Sequence, residues 1–203
     1  MNCVVLRNLA AVLASLTLAS CATGPQHRSY TDTTGLTIGK TTPDECREIF
    51  GQPKDTWDDT SGDGAFEIRR YVQLEEHDAK AFTRSLFVEF KDGVLNGYYS
   101  GSSFRKDRST FSITNVGKIK WATSTKDDVR LLLGDPQGVI RCPTRLLKGA
   151  DCKSTGRETW IYQDLQATPL FGLHIKRIFN GVTCQIVFDA THRVIDIVQT
   201  GAY

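Results

Sequence analysis

The chain lacks any apolar run long enough to cross a bilayer. Its longest, Leu9 to Leu18, falls short of the roughly 18–20 residues that a spanning helix needs. Blocks of like charge are missing too. The 203 residues hold 25 Lys+Arg against 23 Asp+Glu, a formal net charge of +2 with the basic residues scattered. That distribution gives neither the electrostatic footprint of a duplex binder nor an acidic solvating tail. Catalytic patterns are also absent. The four histidines, His27, His77, His174 and His192, have no partner at helical spacing, and no nucleophile elbow, zinc-protease helix or phosphate-binding glycine loop occurs. A metal site has no Cys-x-x-Cys or spaced His pair to build on. These absences argue against an enzyme, a nucleic-acid binder and a bound cofactor. What remains is ordinary globular composition, 40% apolar and 24% charged.

Residues 1–20 read as a signal peptide, with Arg7 the only charge before the apolar run. Leu18-Ala19-Ser20-Cys21 resembles the bacterial lipobox, in which the cysteine thiol carries a diacylglycerol; a plain secretory signal is the alternative. A diacyl chain plus an N-acyl group gives stable anchoring, because each buried CH₂ contributes roughly 0.8 kcal/mol. Ala22 follows Cys21 where lipoproteins retained at the inner membrane usually carry aspartate, so the resemblance implies the periplasmic face of the outer membrane. Residues 21–34 read as a lipidated flexible tether. Beyond Cys21 they hold one aromatic and no aliphatic residue larger than Ala, too little apolar surface to offset the entropy of ordering.

The rest of the chain repeats itself. Thr42-Pro43-Asp44-Glu45-Cys46-Arg47-Glu48-Ile49-Phe50-Gly51-Gln52-Pro53 aligns without gaps on Thr125-Lys126-Asp127-Asp128-Val129-Arg130-Leu131-Leu132-Leu133-Gly134-Asp135-Pro136. Each copy has the ingredients of one short helix. Thr42 and Thr125 are N-caps, with Glu45 or Asp128 three residues on completing a capping box. Cys46, Ile49 and Phe50, like Val129, Leu132 and Leu133, form an i, i+3, i+4 apolar face. Gly51 and Gly134 end the helices in a left-handed conformation, and Pro53 and Pro136 prevent continuation.

Downstream the hydrophobic period changes from 3.6 to 2. Strands are expected at Ala65–Val72, Arg84–Phe90 and Val94–Ser100, then at Glu158–Leu165, from Val182 to Phe188 and at Val194–Gln199. The second copy is longer, and Asn180-Gly181 offers an additional hairpin turn. Weak helices are expected around Tyr30–Ile38 and Ile113–Lys120. The expected fold is α+β: two tandem helix-helix-three-strand modules, at residues 35–108 and 109–203, with antiparallel sheets and helices packed on one face.

Val116-Gly117-Lys118-Ile119-Lys120, the second helix motif, and Glu158-Thr159-Trp160-Ile161-Tyr162 together resemble the SmpA/OmlA (BamE-like) domain. That domain is in turn similar to the repeat of the β-lactamase inhibitor protein family. The glycine that usually opens the motif is matched by Gly39 in the first copy and replaced by Ala122 in the second. The resemblance implies a protein-binding or accessory module of the cell envelope, partnered by the β-barrel assembly machinery or by envelope lipids. Its tandem arrangement implies an alternative, an inhibitor laying its sheet over a secreted hydrolase.

Of the six cysteines, Cys3 leaves with the signal and Cys21 takes the lipid. An exported location permits disulfides. Cys142 and Cys152 flank Pro143–Asp151, and bridging them, a loop of roughly ten residues, would contribute about 2–3 kcal/mol. Cys46 and Cys184 both occupy inward positions, either as buried free thiols or as a covalent link between the copies. Cys184 beside His174 or His192 is the one arrangement with the elements of a cysteine nucleophile. Asp59-Thr60-Ser61-Gly62-Asp63-Gly64 opens like a calcium loop, but position 12 is Arg70 where the geometry requires glutamate, so a polar turn is expected. Trp57 and Tyr99 are candidates for a partner surface, since exposed aromatic groups supply interface hot spots; the alternative is that they fill the core, as expected for Trp160.

Overall fold

The computed structural model describes residues 27–60, 62–77, 80–107, 111–147, 156–165, 168–169 and 181–201. Helix α1 (Pro43–Phe50) is followed by strands β1 (Asp55–Asp59), β2 (Phe66–His77), β3 (Lys80–Lys91) and β4 (Val94–Ser102). A one-turn α2 (Ile113–Val116) and α3 (Lys126–Leu133) then precede β5 (Gly138–Arg141), β6 (Glu158–Leu165), the two-residue β7 (Thr168–Pro169), β8 (Gly181–Phe188) and β9 (Val194–Thr200).

The strands form a single antiparallel sheet in the order β1-β2-β3-β4-β5-β6-β8-β9, with β7 pairing against the start of β3. This overturns the expectation of two helix-helix-three-strand modules: the protein is mostly one antiparallel sheet with a few short helices. Among the described residues the region around Tyr30–Ile38 is turns, the first helix of the second half is one turn long, and the first half contributes four strands to the common sheet and the second five, β7 included. The unexpected strands are β1, β5 and the short β7; β1 and β5 each start two residues after a proline, Pro53 and Pro136. β4 pairs with β5 through Gly97↔Ile140, Tyr98↔Val139 and Tyr99↔Gly138, joining the two halves.

Both main helices begin with complete capping boxes. The Glu45 N–H donates to Thr42 Oγ1 at 3.3 Å while Glu45 Oε2 accepts from the Thr42 N–H at 2.8 Å, and Asp128 and Thr125 reproduce both distances. Gly51 and Gly134 follow with φ +80°. Cys46 and Phe50 share a buried cluster with Tyr71, Leu86, Val88, Phe90 and Leu95. Val129 and Leu133 share a second cluster with Trp160, Tyr162, Ile186, Phe188 and Val194. The cross-strand row Val88–Tyr98–Val139–Trp160–Ile186 places both clusters on one face of the sheet.

The described end of the expected tether makes contacts with the first half. The Arg28 N–H donates to Ile49 O at 3.1 Å, and the Tyr30 ring lies 5.6 Å from that of Tyr71 and 6.4 Å from that of Phe50. One aromatic residue is enough to dock residues 28–34. Residues 1–26, which include the expected signal peptide and Cys21, lie outside the described residues.

The segment entering each main helix is stitched to the last strand of its own half. Gly39 N–H donates to Leu95 O at 2.7 Å and Leu95 N–H to Thr41 O at 2.8 Å; Ala122 N–H donates to Val194 O at 2.7 Å and Val194 N–H to Ser124 O at 3.0 Å. The stitch requires a left-handed residue, with φ +77° at Gly39 and +58° at Ala122. An alanine held there costs about 1–2 kcal/mol, part of which glycine gives back through its freer unfolded chain. Ala122→Gly should therefore raise stability by about 0.5–1 kcal/mol in urea denaturation, and a loss of stability would contradict this stitch.

Candidate functional site

The face opposite the helices carries the chemistry. One cross-strand row runs across it as Asp55–Arg70–Phe87–Tyr99–Gly138–Ile161–Gln185–Val198, and the adjacent row as Trp57–Ile68–Glu89–Gly97–Ile140–Thr159–Val187–Asp196. Near the middle the Phe87 and Tyr99 rings stack at 4.8 Å with an interplanar angle of 13°. Burial pushes the Tyr99 hydroxyl's pKa up, offset in part by the charge of Arg70. Arg70 Nε donates to Asp55 Oδ2 at 2.8 Å, and its guanidinium lies 5.7 Å from the centre of the Trp57 ring. Trp57 is 47% exposed at the outer strand. The array presents a flat stack, a cation held in plane by a carboxylate and an exposed indole, the side-chain types that anchor protein interfaces.

The two halves differ where this matters. On the helix side their residues correspond in kind: Tyr71 to Tyr162, Val88 to Ile186, Phe90 to Phe188 and Leu95 to Val194. On the opposite side, Trp57, Arg70, Phe87 and Tyr99 of the first half stand where the second has Ile140, Ile161, Gln185 and Val198. Packing accounts for the shared residues. It leaves the concentration of aromatic and charged groups on one half unexplained.

A segment of the second half borders this surface. Arg145 Nε donates to Asp59 Oδ2 at 2.7 Å, its guanidinium lies 4.4 Å from the centre of the Phe66 ring, and its backbone N–H donates to Glu89 Oε2 at 2.5 Å. Asn96 Nδ2 donates to Glu89 Oε1 at 2.7 Å and to Pro143 O at 2.9 Å. The fully buried Glu89 thus ties the residues after β5 to the first half. No short-range pattern marks either Glu89 or Arg145, because the contact spans 56 residues.

The remaining site candidates have settled positions. Cys142 is disulfide-bonded; Cys152, its expected partner, lies outside the described residues. Cys46 and Cys184 are free and buried, one in each core cluster. Burial pushes the Cys184 thiol up to about 11. It raises Cys46 as well, opposed by a hydrogen bond to Tyr71 and the charge of Arg69. Neither is an activated thiolate. His192 lies exposed in the β8–β9 turn, and His174 is outside the described residues. Asp59 meets Arg145 and Arg70 meets Asp55, so these two ends of the calcium-like stretch serve separate ion pairs. No group of three or more potential metal ligands occurs among the described residues, and no helix there is long and apolar enough to cross a membrane.

No protein-family model matches the chain. No curated protein matches it. The SmpA/OmlA resemblance therefore stays a likeness of motif. Among solved structures the chain is similar to a "putative beta-lactamase inhibitor protein" from Streptococcus mutans, 12% identical, with a TM-score of 0.45 over 86% of this chain and 90% of that one.

On the helix side of the sheet, Glu158 of β6 ties that strand to the start of α3. Burial pushes its carboxyl pKa up, but the hydrogen bonds from Lys126 and Trp160 and the charges of Lys126 and Arg141 outweigh that and hold it below the ordinary value of 4.5. Lys126 Nζ lies 2.7 Å from Glu158 Oε1 and Trp160 Nε1 donates to the same oxygen at 2.7 Å. A depressed folded-state pKa contributes stability above the unfolded value that is lost as pH falls through the folded one. Glu158→Gln should therefore destabilise the protein at pH 7, and the difference should vanish on acidification below pH 4.5. A penalty that does not change with pH would rule out the ionic origin.

Proposed function

We propose that the protein is a lipid-anchored envelope protein that binds a protein partner on the face of its sheet opposite α1 and α3, at the outer membrane, in envelope assembly or maintenance. The observation that carries this reading is the concentration of Trp57, Arg70, Phe87 and Tyr99 on the face of one half opposite the helices, with Trp57 47% exposed. Large rigid aromatic groups beside a fixed cation contribute binding energy at low entropic cost. The lipobox-like Leu18-Ala19-Ser20-Cys21 supports the anchor, and the motif resemblance makes barrel-assembly components the class of partner to look for.

Two measurements test it. Cys21→Ala should move the protein from the membrane pellet to the soluble periplasmic fraction; retention in the pellet would end the lipoprotein reading. A photo-crosslinking residue at position 57 should capture an envelope protein that the same residue at position 131, exposed on α3, does not. Equal capture from both positions, or none, would end the binding-face reading. Capture of a soluble hydrolase whose activity falls on binding would replace the assembly role with inhibition.

A further inference from the structure

The repeat makes the two outer strands of the sheet counterparts of strands that pair inside the molecule. Asp55, Thr56 and Trp57 of β1 stand where β5 has Gly138, Val139 and Ile140. Asp196, Ile197 and Val198 of β9 stand where β4 has Gly97, Tyr98 and Tyr99. β4 and β5 join antiparallel through those very residues. One copy's β9 thus offers another copy's β1 the backbone that β4 offers β5. Because such a contact joins opposite edges, it is heterologous and leaves each end copy with a free edge for a further copy.

The inner junction depends on its glycines. A Cβ on Gly138 would lie 2.4 Å from the Tyr99 Cβ, and one on Gly97 would lie 3.0 Å from the Ile140 Cα. At both corresponding edge positions the residue is aspartate. A β9–β1 junction would press Asp55 against Val198 and Asp196 against Trp57, with Asp58 adding like charge.

Asp196 blocks the edge in a second way. Its Oδ1 accepts from the Ile197 N–H at 2.8 Å. Ile197 holds the place of Tyr98, whose N–H faces β5: Ser100, two residues on, donates to Gln137 O at 2.9 Å, and outward-facing groups recur every second residue. Trp121 Nε1 occupies the neighbouring Ile195 O at 2.8 Å. Two outward backbone groups of β9 are thus already taken by side chains, a known way of blunting an exposed edge.

We infer that β9 and β1 are complementary edges for a second copy of this chain, and that Asp55 and Asp196 hold the copies apart. Sizing by light scattering tests this with Asp196→Gly and Asp55→Gly. The unchanged protein and each single variant should run as monomers, because every junction a single variant makes with itself retains one aspartate. Mixed in equal amounts, the two variants should form a species of about twice the monomer mass and no larger, one edge of each remaining blocked. Cooperative thermal unfolding checks that each variant is folded; where Asp55→Gly unfolds by stranding Arg70, Asp55→Gly with Arg70→Gln takes its place in the mixture. A monomeric mixture of folded variants, or self-association of the unchanged protein or of either variant to the same extent as the mixture, overturns the inference.

Discussion

Replacing Gly138 with alanine should cost the protein about 3 kcal/mol, the upper end of what overpacking a tight site costs. The added methyl would meet backbone as well as a side chain, at 2.8 Å from Tyr98 O and 2.9 Å from the Tyr99 Cα. Neither can rotate away, so β4 and β5 must separate, and they form the main strand pairing between the two halves. In a chain of this size the loss corresponds to a fall in melting temperature of about 6–12 °C. The more telling readout is shape: with the junction loosened, one cooperative transition should broaden or split, since each half keeps its own core cluster. An unchanged melting curve would mean that β4 and β5 do not meet in this register.

The second large effect is expected at Asp107. Arg84, with its side chain 7% exposed, has its Nε paired with Asp107. Its Nη1 donates to Gln73 Oε1 at 3.0 Å, and its guanidinium sits 3.9 Å over the Phe104 ring. Asp107 also accepts from Ser102 Oγ at 2.8 Å. Asp107→Ala removes the counter-charge and leaves the cation buried, a change that costs about 3–5 kcal/mol. The double variant Arg84→Met with Asp107→Leu removes both charges and should stand closer to the unchanged protein than Asp107→Ala alone. Urea denaturation with an unchanged slope reads the difference directly. If the single and double variants were equally unstable, packing rather than charge would hold this corner together.

The helix motif was legible because its determinants are local. A threonine, an acid three residues on, an apolar face and a glycine followed by proline fall within one twelve-residue window, and each acts on its immediate neighbours. The long strands were legible for the same reason, through period-two alternation. β1 and β5 were not. Asp55-Thr56-Trp57-Asp58-Asp59 has one apolar residue and β5 is four residues long, so each owes its strand character to the neighbour it pairs with. Trp57 and Tyr99 could be singled out from the sequence, but Arg70, Glu89 and Arg145 could not. Their roles come from register and from a contact across the two halves, neither of which has a local signature.

The sequence by itself determined that a capped helix followed by antiparallel strands occurs twice, because caps, turns and hydrophobic period act within a few residues. Only the tertiary structure decided that the two units share one sheet, that the aromatic array collects on the first half's face opposite the helices, and that aspartates stand at both outer edges where the inner junction has glycine. Strand pairing is a long-range choice. It is settled by which backbones can approach closely enough to hydrogen-bond, and a single missing Cβ at Gly138 or Gly97 decides that approach.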